Sequence, residues 1–385
     1  MSRVLVLNAG SATLKFGLYE AADCRLRGEV ERIGDAPALR LVSGDLDTDG
    51  FAPADSGHAG VAEALLDWLG SDLDLEGLAG VGHRVVHGGT RLAEPVRLDA
   101  DRLAYLESLE PLAPLHQPQS LAIIRDLMAR HPSLPQVACF DTAFHRTQPR
   151  VRQLFALPRH LADEGVLRYG FHGLSYAHVT RQLPAVVGEA AARGRVVVAH
   201  LGQGCSLCAL ENGRSVATSM GFTALDGMMM GSRCGRLDPG VVLYLQQQRG
   251  MSVAEVERLL YRESGLLGVS GISADMRDLL ASPSPHAEEA VALFVDRLLE
   301  EIGASVALLG GLDALVFTGG IGEHAAEIRA RTLNALGWLG IHLDAPANAR
   351  HALRIDGKKG PAVAVVPTDE EGEMARGTLA CLDTR

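Results

Sequence analysis

The sequence predicts a duplicated α/β fold. Three observations predict it. Val4 to Leu7 is a short apolar run, Asn8-Ala9-Gly10-Ser11 turns the chain, and Leu14 to Leu18 alternates as a second strand. The same strand, polar turn, strand pattern returns at Val196–Ala199, His200–Gly204 and Ser206–Leu210, displaced by 192 residues in a chain of 385. Helical periodicity at 60–69, 119–130, 253–261, 286–309 and 324–335 is interleaved with apolar strands at 78–82, 136–140, 314–318 and 362–366. Such alternation is the pattern of layered α/β domains, here expected as two halves with a cleft between them. The length agrees, since roughly 150 residues per domain gives two or three domains.

The connections follow from composition. The Asp/Gly/Pro-rich stretch 44–57 reads as a surface loop, and Ser282-Pro-Ser-Pro285 separates an irregular segment from the long helix after it. Lys and Arg number 36 against 47 Asp and Glu, a net charge of −11 that disfavours nucleic acid and anionic lipid as partners. No uninterrupted apolar run reaches the roughly 18 residues that span a bilayer, and the N-terminus lacks a signal-peptide core. The expectation is a cytoplasmic protein acting on small molecules, without membrane or nucleic-acid partners. Six scattered cysteines, at 24, 139, 205, 208, 234 and 381, read as reduced, mostly buried thiols rather than a disulfide framework.

Several motifs resemble chemistry without supporting it. Asp45-Leu-Asp47-Thr-Asp49-Gly50 copies half of a calcium loop, but Ser56 stands where a bidentate Glu is needed. Cys205 and Cys208 have redox spacing on a strand, where residues i and i+3 face opposite ways. His83 and His87 flank Arg84-Val-Val, again a strand, on which four residues separate two ligands by roughly 13 Å. Gly320-Ile-Gly322-Glu-His-Ala325 follows a predicted strand, opens a helix and fits a dinucleotide fingerprint. Only 41 residues follow Asp344, too few for the rest of such a domain, so the nicotinamide part is dropped. What remains is an anion or nucleoside reading, with a plain strand-to-helix turn as the alternative.

Phosphate handling has no Walker motif to rely on, since Gly357-Lys358-Lys359 lacks both the glycine loop and the hydroxyl. Two glycine-containing polar turns, 8–13 and 200–204, offer backbone donors at strand ends, with Lys15 beside the first. Around them run nine segments: Leu7-Asn-Ala-Gly-Ser-Ala-Thr-Leu-Lys15, Gly82-His-Arg-Val-Val-His-Gly-Gly89, Leu112-Ala-Pro-Leu-His116, Phe140-Asp-Thr-Ala-Phe-His145, Arg168-Tyr-Gly-Phe-His-Gly173, Ser219-Met-Gly-Phe-Thr223, Met230-Gly-Ser-Arg-Cys-Gly235, Phe317-Thr-Gly-Gly-Ile-Gly-Glu323 and Val366-Pro-Thr368. Together, and in this order, they resemble the motifs of the acetokinase family.

The resemblance implies a duplicated ribonuclease H-like fold of the sugar kinase, Hsp70 and actin superfamily with an interdomain cleft. It implies an N-terminal lobe of residues 1–144 plus 371–385 and a C-terminal, nucleotide-binding lobe of 145–370. It further implies a homodimer, ATP or ADP, Mg2+ with Mn2+ as a substitute, and acetate or propionate as acceptor. Arg84 and Arg233 match the family's two active-site arginines, His172 its transition-state histidine and Asp141 its catalytic aspartate. Planar guanidinium forks suit carboxylate and phosphoryl oxygens. A carboxylate nucleophile needs no deprotonation near neutral pH, so Asp141 reads as orienting Arg84 or the metal shell rather than as a base. Asn8 and Glu370 match the metal position, and hard oxygen ligands suit Mg2+. Val86, Leu115, Phe171 and Ala224 match the acyl pocket. Ser11, Thr13, Lys15, His200, Gly202 and Gly204 match phosphate contacts, and Asp275, Arg277, Gly320, Ile321 and Gly322 the adenosine site. His116 matches a position near the substrate.

Departures from the family pattern cluster near nucleotide and metal. Gln203, Asp369 and His324 replace the usual Asn, and Asp369 adds a charge. Ala12 and Thr13 replace serines; Gln117, Leu174 and Tyr176 stand for the common Asn, Thr and His. Ala224 occupies a position where acetate-using members carry proline, which predicts a roomier acyl pocket and competition from propionate. Two alternatives stay open: a kinase of the same superfamily for sugars or butyrate, and a nucleotide-binding protein without transfer activity.

Overall fold

The computed structural model describes residues 3–21, 23–44, 46–72, 77–114, 116–357 and 359–383. Asp45 of the calcium-like loop and Lys358 lie outside these. The chain divides into two compact units, Met1–Phe144 with Asp369–Arg385, and His145–Thr368.

In unit 1 the strands are β1 (Arg3–Ala9), β2 (Leu14–Glu20), β3 (Asp23–Glu31), β4 (Ala38–Ser43), β5 (Leu78–Val85), β6 (Val96–Arg97) and β7 (Gln136–Phe140). Their order in the sheet is β4-β3-β2-β1-β5-β7-β6. The pairs β1/β2 and β2/β3 are antiparallel, whereas β1/β5 and β5/β7 are parallel. Helix His58–Asp72 presents Val61, Ala62, Leu65 and Leu69 to Leu5, Leu7, Phe16 and Leu18 of the sheet. Spacing of three and four residues puts that set on one helical face. Helix Gln117–Arg130 joins this cluster through Ile123 and Leu127, and a second cluster with Val85, Leu106 and Phe140 through Leu121 and Ile124. Fully burying each such side chain contributes about 1.5–3 kcal/mol.

In unit 2 the strands are β8 (Arg195–Leu201), β9 (Cys205–Glu211), β10 (Arg214–Thr218), β11 (Ala314–Thr318) and β12 (Ala362–Val365), ordered β10-β9-β8-β11-β12. The pairs β8/β9 and β9/β10 are antiparallel, while β8/β11 and β11/β12 are parallel. Setting aside β4 and β6, the two sheets share one order and one set of directions, third-second-first-fourth-fifth. This is the duplication that the repeated strand-turn-strand pattern predicts. Helix Pro285–Leu309 starts with Ser284 as N-cap and buries Ala287, Val291, Phe294, Leu298 and Ile302 on one face. It is a core helix of its unit.

Two boundaries differ from expectation. The chain returns to unit 1 at Asp369 rather than 371, because Asp369 pairs with Arg27 on β3 and helix Glu370–Asp383 packs on β5 and β1. The helix expected at 324–335 starts at Ala326 and runs to Ala335, separated from a short helix Gly319–His324 by Ala325 at φ −95° and ψ 79°. The fully buried Arg329 donates to the carbonyls of Gly322 (2.7 Å) and Glu323 (2.8 Å), satisfying groups the broken helix leaves open. Among the described residues, no helix is long and apolar enough to cross a membrane.

Candidate active site

The unit 1 residues gather where β1, β5 and β7 end. Register sets them side by side, since Leu7 pairs with His83 and Arg84 with Cys139, leaving Asn8, Arg84 and Asp141 adjacent. Arg84 donates through Nε to both Asp141 oxygens (3.2 and 3.1 Å) and through Nη2 to Oδ2 (2.5 Å). Its Nη1 lies 3.4 Å from Asn8 Oδ1. Asn8 Nδ2 donates to Glu371 Oε1 at 3.0 Å. Burial opposes the charge on Arg84, but the Asp141 carboxylate and its hydrogen bonds outweigh that, so the guanidinium is held more firmly protonated than usual. Glu370, in the first turn of its helix, has its carboxyl pushed up to about 7 by burial. The charges of Asp141 and Glu371 add to this rise, while Arg84 and Lys15 oppose it. Three carboxylates around one arginine are a set that a further cation would relieve. Ser11, Thr13 and Lys15 lie on or beside the β1–β2 turn, with Ser11 and Lys15 exposed.

Unit 2 is built differently. His172 caps helix Gly173–Val187 from a left-handed backbone, φ +59°. Its Nδ1 lies 2.8 Å from Ser206 Oγ on β9, and its ring stacks on His200 with centroids 4.2 Å apart. His200, at the end of β8, has Nδ1 2.8 Å from Ser175 Oγ. The turn between these strands closes with Gly202 N donating to Gly204 O at 3.0 Å. A Cβ at Gly204 would lie 3.1 Å from His172 Nε2 and 3.6 Å from Arg233 Nη1, so only glycine leaves those two groups free to share this face. Arg233 Nη1 donates to Ala224 O at 3.1 Å. His172, His200, Gly204 and Arg233 are thus brought together within unit 2.

Beside this turn opens a cavity of about 400 Å³ walled by Gly202, Gln203, Ala274, Asp275, Met276, Arg277, Leu280, Gly320, Ile321, His324 and Ala325. Gly319 enters the helix at φ +76°, where a Cβ would meet Leu201 O at 2.8 Å. Its N–H and that of Thr368 both donate to Glu323 Oε1, at 2.9 and 3.0 Å. Gly322 is buried behind the wall instead of lining it. Asp275 accepts from Arg277 N (2.8 Å) and pairs with its guanidinium (2.6 Å), which lowers the Asp275 carboxyl below its ordinary range.

The acyl-pocket residues divide between the units: Val86 is buried in unit 1, Phe171 is buried and Ala224 half-buried in unit 2. Leu115 lies outside the described residues. His116 caps helix Gln117–Arg130. Cys205 and Cys208 both lie buried on β9, where burial pushes each thiol up to about 12. Of the departures, Gln203 and His324 line the cavity, and the extra charge of Asp369 is met by Arg27. Sequence reading missed Ser175, Ser206, Glu371 and Arg27. The first two carry a signal in retrospect: Ser175 lies one helical turn after His172, and Ser206 pairs with His200 across the hairpin.

A duplicated mixed α/β sheet, with anion-ready groups at the strand ends of both copies and a cavity beside a glycine turn, suits the class of α/β proteins that bind phosphate-bearing ligands. Within that class, the acetokinase family's profile matches residues 3–376, and the chain belongs to that family. It is 53% identical over 384 residues to an acetate kinase of Rhodopseudomonas palustris, covering 97% of this chain and 96% of the relative. To an acetate kinase of Methylocella silvestris it is 48% identical, covering 100% and 99%. Among solved structures it is similar to the acetate kinase of Porphyromonas gingivalis (TM-score 0.89, 35% identity, 99% and 100% covered). It is equally similar to a propionate kinase of Francisella tularensis (TM-score 0.88, 35% identity, 98% and 99% covered).

Proposed function

We propose that this chain reversibly transfers the γ-phosphoryl group of ATP to acetate, giving acetyl phosphate and ADP. The observation that carries the reading is the bidentate hold of Asp141 on Arg84, amid acids, in a chain similar to acetate kinases over its whole length. A carboxylate oxygen of acetate bonds to the γ-phosphorus while the bond from that phosphorus to the β–γ bridging oxygen breaks. The electron pair leaves with ADP, and no proton transfer is required. Arg84 neutralises the acetate carboxylate, and Asp141 fixes the guanidinium plane. His172 and Arg233 donate to the oxygens of the transferring group, where charge is spread in the transition state. The β1–β2 turn with Ser11, Thr13 and Lys15, and Gly202 to Gly204 with His200, contact phosphates through short donors. Gly320, Ile321, Asp275 and Arg277 hold the nucleoside in the cavity, with Gly322 as packing behind it.

The donor set fits Mg2+. Asn8 and Glu370 present hard oxygens, with Asp141 beside them, and burial first, then the charges of Asp141 and Glu371, pushes the Glu370 carboxyl up, a cost that a bound cation would offset. Mg2+ keeps several waters and binds through one or two carboxylates plus phosphates, so no closed protein cage is required. Held there by Asn8 and Glu370, it would supply positive charge to offset the phosphate oxygens. Mn2+ has the same preference for oxygen ligands.

The working form is a homodimer, as is usual in the family. Helix Pro239–Gln247 supports it, because Val241, Leu243 and Tyr244 are exposed and none of its residues is buried. A cytoplasmic location belongs to the same reading. Propionate is the second reading, favoured by Ala224.

Trapping acyl phosphate with hydroxylamine tests the proposal, using the full chain with Mg-ATP and acetate, propionate, butyrate or glycerol. Turnover with acetate or propionate should fall by roughly 10³ in Arg84→Ala and in Arg233→Ala. Tight ATP binding without turnover on any carboxylate would overturn it.

A further inference from the structure

We infer that Tyr176 is a positioning residue that determines, through Ser206, which ring nitrogen of His172 carries the proton. The phenolic oxygen of Tyr176 lies 2.5 Å from Ser206 Oγ, which lies 2.8 Å from His172 Nδ1. A serine hydroxyl has one proton and two lone pairs. When Ser206 accepts from the phenol, its own proton is left to donate to Nδ1, which must then be bare, and the imidazole proton sits on Nε2. The reverse chain would run from Nδ1–H to Ser206 and on to the phenolic oxygen. That oxygen is the poorer acceptor, since its lone pair is shared with the ring. Tyr176 is fully buried, and burial holds its phenol well above the ordinary range, so it stays a neutral donor.

A second relay runs parallel. Thr368 Oγ1 donates to Ser175 Oγ at 2.9 Å, and Ser175 lies 2.8 Å from His200 Nδ1. Each stacked ring therefore has a hydroxyl donor behind Nδ1 and presents Nε2 to the glycine turn. A Cβ at Gly204 would lie 3.1 Å from His172 Nε2, and one at Gly202 would lie 3.9 Å from His200 Nε2. Two Nε2–H groups on one side suit anionic oxygens, and neutral rings can stack at 4.2 Å without the repulsion of paired cations. The backbone supplies the alignment, since Tyr176 N donates to His172 O at 3.0 Å in the first turn of the helix. The catalytic meaning of the relay rests on the function proposed above; the tautomer itself does not.

Two readouts separate these. Imidazole 15N–1H correlation spectra of the full chain should show His172 and His200 both protonated at Nε2. In Tyr176→Phe, and likewise in Ser206→Ala, His172 alone should become a mixture of tautomers while His200 is unchanged. Acetate turnover should fall about tenfold in kcat, with KM for ATP and acetate within about twofold, the scale of one lost hydrogen bond that orients a group. Tyr176→His, which restores a donor, should recover most of that loss. A wild-type proton on His172 Nδ1, or His172 signals that neither variant alters, would overturn the relay. If the phenylalanine variant does not fold, the Ser206→Ala and Tyr176→His spectra decide the point. Wild-type chain with the stated tautomers but no acyl-phosphate formation would overturn the proposed reaction and leave the relay standing.

Discussion

Unit 1 and unit 2 are built on the same sheet, yet they equip equivalent strand ends with opposite chemistry. Unit 1 gathers formal charges: Arg84 on Asp141 where β1, β5 and β7 end, Glu370 beside Glu371, and Arg27 of β3 on Asp369. In unit 2, apart from the Asp275–Arg277 pair in the cavity wall and the Glu323 carboxylate, the hydrogen bonds described above run to uncharged groups. His172 and His200 are held by serine hydroxyls, Arg233 donates to a carbonyl, and Arg329 is buried against carbonyls and the Asn348 side chain. Topology therefore sets where a ligand can be met, and the side chains set what it meets. A charged set is suited to neutralising a carboxylate and a metal-bound phosphate. Donors that uncharged partners hold in one orientation are suited to a transition state whose charge is spread over several oxygens.

The largest effect is expected where that contrast is sharpest. Asp141→Asn removes the charge that orders Arg84 and leaves the guanidinium to be drawn toward Glu370. Acetate turnover should fall by roughly 10³, the scale at which an arginine of this kind acts in phosphoryl transfer. Ser175→Ala makes the comparable change in unit 2 without altering charge, and about tenfold is expected from one lost hydrogen bond. Initial rates under saturating Mg-ATP measure both. Equal losses would break the distinction between the units.

Histidines sharpen it through pH. His83 lies on β5 of unit 1, 1% exposed, and its Nε2 has no hydrogen-bond partner among the described residues, in contrast to the hydroxyl-backed rings of unit 2. Burial pulls its imidazole from 6.5 down to about 4, only partly opposed by the Gln136 amide. Between these values the unfolded chain binds the proton and the folded chain does not, so stability falls as pH drops from 6.5 toward 4. Full stability from this group is present above 6.5, and about 3 kcal/mol is lost by pH 4. His83→Phe should remove that slope. Urea midpoints of both proteins, compared at several pH values, measure it, and a wild-type minus variant difference that is flat with pH would refute it.

Much of this architecture was legible because it is periodic. The strand-turn-strand repeat announced both sheets, and Pro285–Leu309 was readable from its apolar face. The same helix gave no hint of its role, since an apolar face fits an interface as well as a core. Helix Gly173–Val187 was not read: Pro184 interrupts its pattern, and its start depends on a left-handed His172 that no local rule demands. Arg84, Asp141, His172 and Arg233 were legible through the family motifs. Ser206, Glu371 and Arg27 were not, because their partners are 34, 363 and 342 residues away in sequence and only the sheets bring them together.

The smallest expected effect concerns the acceptor. Ala224 presents its carbonyl to Arg233, so a substitution that spares the carbonyl leaves that bond in place. Ala224→Pro fills space on the acyl side while keeping the arginine anchored. A methylene in an apolar pocket is worth about 1–3 kcal/mol, and the low end of that range, roughly fivefold, is expected here because the residue is only half-buried. The ratio of kcat/KM for propionate to that for acetate should fall by this factor, with kcat for acetate little changed. An unchanged ratio would mean that acyl length is set by other residues. A lower kcat for acetate as well would mean that the proline has moved Arg233, tying specificity to the neutral side of the molecule instead of to pocket volume.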